Sequence, residues 1–279
     1  MYFQPLDNKE ECYAYFYEGA IHEDLPSSTV AKTWDYSANV DIDADYAYLY
    51  CGGRSLQEVC PEELKRDLDS STEKLKSFFR SFHIAKVSMH ENCFFDLVPE
   101  RFLLRYFNLK NEITEHVFDN FEKPENYDFL KDLNIMTTRM SRPLNIDHSE
   151  MRKMSHDPAC RKLLKAVKEG RTSIIYNIFG TKTGRLSTAP ASFPLLTLKK
   201  ELRSVIRPKN DWFVELDFNA AELRTLLSLC GKSQPTSDIH EWNRKNIYQG
   251  NITRDEAKKR VFSWLYNPDS TDYLTSRFY

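Results

Sequence analysis

Three stretches of this chain place reactive side chains at spacings that could do chemistry. In the first, the apolar run Trp212-Phe213-Val214-Glu215-Leu216 leads into Asp217, and Phe218 follows. A carboxylate where a strand gives way to a helix can project from a sheet edge toward a divalent cation. The Phe218 carbonyl then offers a second hard oxygen. Glu222 and Arg224 lie five and seven residues further on, in a segment with helical spacing. In the second stretch, Arg254, Lys258, Phe262 and Tyr266 recur every four residues and so share one stripe of a helix. Thr253 and Glu256 have the spacing of a capping box, which predicts that this helix starts at Thr253. The stripe runs from two cations to two rings over ~18 Å. That order suits a nucleoside triphosphate, with cations for the phosphates and rings for the sugar and base. The third stretch is Thr183-Gly184-Arg185-Leu186-Ser187, an arginine among small and hydroxyl residues, which suits close approach to a sugar-phosphate chain. Each stretch alone has an ordinary explanation: an aspartate there caps a helix, a basic edge on a helix is solvated, and a glycine-containing hydroxyl segment is a turn.

The charge distribution favours a polyanionic partner. The net charge of −2 conceals an acidic start, with eleven acidic and three basic residues in 1–60. Residues 161–210 hold twelve basic residues against Glu169 and Glu201, a local excess of +10. Lys199, Lys200 and Arg203 lie in this block. A field of that size draws nucleic acid even to a protein that is neutral as a whole.

The 279 residues suffice for one large or two ordinary domains, and eight glycines and twelve prolines exclude collagenous and low-complexity classes. No run approaches the ~18 apolar residues of a spanning helix, and the first residues lack a basic and apolar leader pattern, so neither a membrane nor a secretory signal is expected. Six cysteines without C-x-x-C pairing predict reduced thiols and a cytoplasmic setting rather than a disulfide scaffold or zinc cage.

The elements that must position these residues read as an α/β segment followed by helices. Strands are expected at 12–17, 45–50, 84–89 and 212–218. Helices are expected at 61–82, 99–109, 159–168, 220–229 and from Thr253 onward, with Ala257, Val261 and Leu265 as an apolar stripe. Loops are expected near 123–126 and 142–144, and an irregular segment at 180–187.

Taken in order, Thr183 to Ser187, then Asp217 to Arg224, then Asp238-Ile239-His240, then Arg254, Lys258, Phe262 and Tyr266 resemble the motifs of family A DNA polymerases. These are the relatives of bacterial DNA polymerase I and of many phage replicative enzymes. The likeness covers residues 180–266 most fully. It implies a degenerate exonuclease-like, RNase H-like α/β domain at 1–108, a helical thumb-like region at 109–180, and a partial palm and fingers at 181–279. It also implies templated addition of dNTPs to a primer 3′ end with Mg²⁺. By resemblance Asp217 and the Phe218 carbonyl would hold metal, and Arg254 and Lys258 would grip the triphosphate with His240 near its phosphates. Phe262 and Tyr266 would pack on the nucleotide, and Glu222 would lie beneath the sugar and exclude a 2′-OH. Thr183, Arg185, Lys199, Lys200, Arg203 and Arg224 would face DNA.

The chain departs from the family pattern in three places. Asn267-Pro268 follows Tyr266 where the family has Tyr-Gly. No His-Asp-Glu triplet, the family's motif C, occurs among the 279 residues. Two-metal phosphoryl transfer needs carboxylates from both sides of a metal pair held ~3.5–4 Å apart. A second polypeptide carrying the rest of palm and fingers is therefore an expected partner, beside primer-template DNA and dNTP. The Ala257, Val261 and Leu265 side is expected to be open for it to dock. Finally, no Asp-x-Glu lies near the first strand, with only Asp7-Asn8-Lys9 before it, so the N-terminal domain is expected to lack nuclease activity, Asp96 being its one candidate acidic position. Two other readings are a single-subunit RNA polymerase, against which Glu222 argues, and a non-catalytic nucleic-acid-binding protein derived from a polymerase.

Overall fold

A computed structural model describes residues 1–7, 13–27, 30–40, 42–89 and 91–279. The chain forms two compact units, Met1–Lys209 and Asn210–Tyr279.

The first unit opens with short strands. β1 (Gln4–Pro5), β2 (Tyr15–Tyr17) and β3 (Ala20–His22) form an antiparallel sheet, and β4 (Ala31–Thr33) pairs in parallel with β5 (Ala44–Tyr46). A parallel bridge from Tyr2 to Lys32 joins β1 to β4. The aromatic run at 13–17 supplies β2 as expected, with Tyr15 and Phe16 buried; Cys12 lies outside the described residues.

The expected strand at 45–50 stops early. After β5 the backbone turns into the helical segment α1 (Ala47–Tyr50), where the Tyr48 N–H donates to Trp34 O at 2.8 Å, and α2 (Leu56–Val59) follows. Helix α3 (Glu62–Ile84) begins after Pro61 as its pattern predicts. It runs through Ile84 and ends in a turn with Lys86 at φ 55°, so no strand forms at 84–89: that segment has no ladder partner among the described residues.

After α4 (Phe94–Leu97), α5 (Glu100–Asn120) runs well past the expected end at 109. Its Leu103, Phe107, Ile113 and Val117 are buried, packing first with Phe16 and then with Trp34 and Leu68. The expected domain division at 108/109 therefore falls inside one continuous helix.

Next come α6 (Tyr127–Met140), β6 (Asn145–Ile146), α7 (His148–Lys153) and α8 (Pro158–Lys168). The hairpin β7 (Tyr176–Asn177) to β8 (Ser187–Thr188) folds back on the N-terminal core through Ile178, Phe179 and Leu186. Gly53 permits this approach: a Cβ there would meet the Phe179 ring at 2.2 Å. A 3-10 helix (Lys200–Val205) leads to β9 (Ile206–Arg207), which pairs with β6. The expected division at 180/181 lies within this hairpin.

The second unit is helical: α9 (Ala221–Leu229), α10 (Ile239–Asn246), α11 (Arg254–Tyr266) and α12 (Tyr273–Phe278). Leu223, Leu227, Ile239, Ile247, Tyr248, Ala257 and Val261 form its core. Ala257 and Val261 are each 0% exposed, so the apolar side of α11 is not the open docking face expected of it. The segment 212–218 forms no strand either. Leu216 is 90% and Phe218 84% exposed, and among the described residues no neighbouring strand takes up the backbone donors and acceptors of this run.

Among the described residues no helix is long and apolar enough to cross a membrane. Cys51, Cys60 and Cys160 are buried free thiols, and Cys230 is an exposed one.

Candidate functional site

Helix α11 is fixed at its start by the predicted capping box. The Thr253 hydroxyl accepts from the Glu256 N–H at 3.2 Å, and the Glu256 carboxylate accepts from the Thr253 N–H at 2.8 Å. That registration sets Arg254, Lys258, Phe262 and Tyr266 on one stripe. The Arg254 Nη2 donates to Asp238 Oδ2 at 2.6 Å and its Nε to the same oxygen at 3.3 Å. Asp238 also caps α10, its other oxygen accepting from the Glu241 N–H at 2.8 Å. The Arg254 guanidinium, together with this cap, holds the Asp238 carboxyl down to about 2.

Asn219 joins the third member to this pair. Its Nδ2 donates to Asp238 at 3.1 Å and its Oδ1 accepts from the Ile239 N–H at 3.0 Å. Ala220 adopts φ 53°, which turns the chain sharply into α9. Arg224, on that helix, donates to the carbonyls of Asn219, Pro235 and Ser237, each at 2.8 Å. The Arg224 guanidinium is thereby tied to the unit's own backbone. Thus the motif after Asp217, the Asp238-Ile239-His240 triplet and the head of α11 converge on one hydrogen-bonded network.

His240 is buried beside this network, its ring 5.6 Å from that of Phe262, which lies 6.0 Å from Tyr266. Its Nδ1 has no hydrogen-bond partner among the described residues. Burial lowers the His240 pKa; Asp238 opposes this, and the charges of Arg254, Lys258 and Arg224 add to it. A neutral imidazole among three cations is the result. Lys258 and Tyr266 are exposed, and Glu222 is half-buried in the first turn of α9.

Asp217 lies on exposed, irregular backbone, two residues before Asn219, rather than at a strand end. Among the described residues no group of three or more His, Cys, Asp or Glu side chains could hold a metal ion. The Asp217 carboxylate and the Phe218 carbonyl are two of the six oxygens a Mg²⁺ ion takes. Asp96, on α4, shares the wall of a cavity of about 730 Å³ with His22, Glu23 and Glu100. Asn8 and Lys9, which follow Asp7, lie outside the described residues.

The remaining candidates belong to the first unit. Thr183 and Arg185 are exposed on the β7–β8 connection, where Gly184 takes φ +74° and the Thr181 hydroxyl donates to Arg185 O at 2.8 Å. Gly180 cannot be replaced without disruption, because a Cβ there would sit 1.7 Å from Ser187 Oγ. All twelve basic residues of 161–210 are exposed. Lys199 approaches Asp157 at 3.6 Å, and Lys200 and Arg203 project from the 3-10 helix whose Leu202 and Val205 are buried.

Asn219 and Asp238 carry structural weight that the motif pattern did not assign to them. The signal for Asp238 was present: Glu241 stands three residues later, as in a capping motif. No family model, curated protein or solved structure matches this chain.

Proposed function

We propose that the chain is the N-terminal part of a template-directed DNA polymerase of family A, adding dNTPs to a primer 3′ end once a further segment supplies motif C. The observation that carries the reading is the Asn219–Asp238–Arg254 network. Three motifs spaced 19 and 16 residues apart share it, as a nucleotide-handling site requires. Lys258 and the rings of Phe262 and Tyr266 continue outward along α11 from this network, in the order that phosphates and base would need. His240, buried beside this network with its pKa lowered by burial, lines the base of the stripe. The exposed cations of 161–210 supply the electrostatic attraction for primer-template.

Divalent metal supplies charge neutralisation in this chemistry. Asp217 would contribute one carboxylate toward it. The partner segment would bring the missing carboxylates. Glu222 in the first turn of α9 favours deoxyribose over ribose, which separates this reading from an RNA polymerase; dATP should be incorporated in preference to ATP.

The test is reconstitution. The 279-residue chain is expected to bind primer-template without extending it, and to extend it when a polypeptide carrying a His-Asp-Glu hairpin is supplied, joined or separate. Asp217→Ala should abolish that extension. Extension by the chain alone that survives Asp217→Ala would overturn the reading. DNA binding with no extension under any supplementation would leave a nucleic-acid-binding protein built on a polymerase framework.

A further inference from the structure

The second unit contains a cavity outside the motif network. It has a volume of about 170 Å³ and is lined by Leu227, Lys232, Ser233, Pro235, Trp242, Phe278 and Tyr279. That is room for about five or six water molecules at ~30 Å³ each, the scale of one flat ring system. Leu227 is buried and forms an apolar floor. The walls are aromatic: Trp242 meets Phe278 edge-on at 5.4 Å, Phe278 meets Tyr279 edge-on at 5.3 Å, and Tyr279 is backed by Trp264 at 5.6 Å. Tyr279 is fixed further by its hydroxyl, which donates to Asn243 at 2.7 Å. Lys232 is exposed at the rim, next to the Ser233 hydroxyl.

We infer that this cavity receives one unpaired base of single-stranded DNA, stacked against Trp242 and Phe278, with Lys232 and Ser233 at the adjoining phosphate. The inference rests on the proposed function only in taking DNA as the ligand. An aromatic slot accepts any base, because each has a π face, and a lysine at its mouth favours an anionic ligand over a neutral aromatic one. The cavity is too small for a helix or strand. The rigid backing of Tyr279 keeps the slot open, so binding needs little ordering of the walls.

The experiment compares oligo(dT) with an abasic strand of the same length, binding the intact chain at one salt concentration. Oligo(dT) should bind about tenfold more tightly and should quench part of the tryptophan fluorescence; the abasic strand should do neither. Trp242→Phe keeps a ring in the slot and should retain affinity while losing that part of the quench. Trp242→Leu should reduce oligo(dT) binding to the abasic level. Phe278→Ser, at a half-exposed rim position, gives the same test should Trp242→Leu not fold. Lys232→Glu should weaken both strands. Equal binding of the two strands, or an unchanged quench in Trp242→Phe, overturns the pocket while leaving the DNA-binding reading intact. Base-dependent binding in a chain that never supports extension overturns the polymerase reading while leaving the pocket.

Discussion

At the residue scale the Asp238–Arg254 pair decides how the candidate site responds to pH. The Asp238 carboxyl sits at about 2 in the folded chain, against ~3.9 when unfolded. Its folded pKa is depressed, so its stabilisation is complete above the unfolded value and is lost as pH falls from ~4 toward 2. The full difference would amount to ~2.5 kcal/mol. With the Asp238 side chain 34% exposed, solvent screening brings the expected effect to about 1 kcal/mol. Thermal unfolding of Asp238→Asn should therefore fall below wild type at pH 6, and the gap should close by pH 2. A gap that persists at pH 2 would mean that the variant had lost packing rather than charge. His240 acts in a separate window: its lowered pKa means stability is lost as pH falls below ~6.5, where the unfolded ring takes up a proton first. Lys258 is exposed. In the reconstituted complex of the proposed function, Lys258→Ala should weaken dNTP binding by roughly 10- to 100-fold, the effect of losing a charge-assisted contact worth ~1.5–3 kcal/mol. Tyr266→Ala should instead raise misincorporation. Titration of dNTP against the two variants separates these outcomes, and equal, negligible effects would reduce α11 to a packing helix.

At the element scale the chain divides into segments that complete their own hydrogen bonds and segments that cannot. The helices with clear apolar spacing and end signals, α3, α8 and α11, form within a few residues of where their patterns place them. The expected strand at 212–218 has the right composition and no ladder. A strand needs a neighbour for its N–H and C=O groups, and none of the described residues provides one. The exposed Trp212, Phe213, Val214, Leu216 and Phe218 form a contiguous apolar run, the kind of surface that marks an interaction site. Amides 212–218 should therefore exchange rapidly with deuterium in the 279-residue chain. They should become protected when a polypeptide bearing the His-Asp-Glu hairpin is added. Slow exchange in the chain alone would show that this segment already has a partner.

At the scale of the whole molecule, charge is segregated rather than balanced. The acidic excess of residues 1–60 and the basic excess of residues 161–210 both belong to the first unit, and every cation of the latter block is exposed. Exposed lysines and arginines that neutralise phosphates make affinity fall with salt, at a slope of about −0.9 per contact on B-DNA. Replacing Lys199, Lys200 and Arg203 with Glu should weaken primer-template binding and flatten that slope by roughly two to three. Affinity that does not change between low and high salt would remove the basic block from the DNA interface.

The sequence by itself determined the parts of this protein governed by local rules. Capping at Thr253 and Glu256 set the register of α11, and with it the shared stripe of Arg254, Lys258, Phe262 and Tyr266, because side chains four residues apart must stack on one face. The charge asymmetry needed only counting. Long-range partnership was decided by the tertiary structure alone. The Arg224 guanidinium looks free to reach DNA in the sequence, yet it turns onto the carbonyls of Pro235 and Ser237, a closure no spacing rule anticipates. Asn219 and Asp238 became the hinge of the site because the αL turn at Ala220 brings the start of α9 back to α10. The apolar stripe of α11 was legible as apolar, but whether Ala257 and Val261 faced a partner or their own core depended on where α9 and α10 packed. The pattern at 212–218 reads as a strand with equal clarity and does not form one. Helical hydrogen bonds close within a segment, whereas a strand takes its conformation from another strand supplied elsewhere.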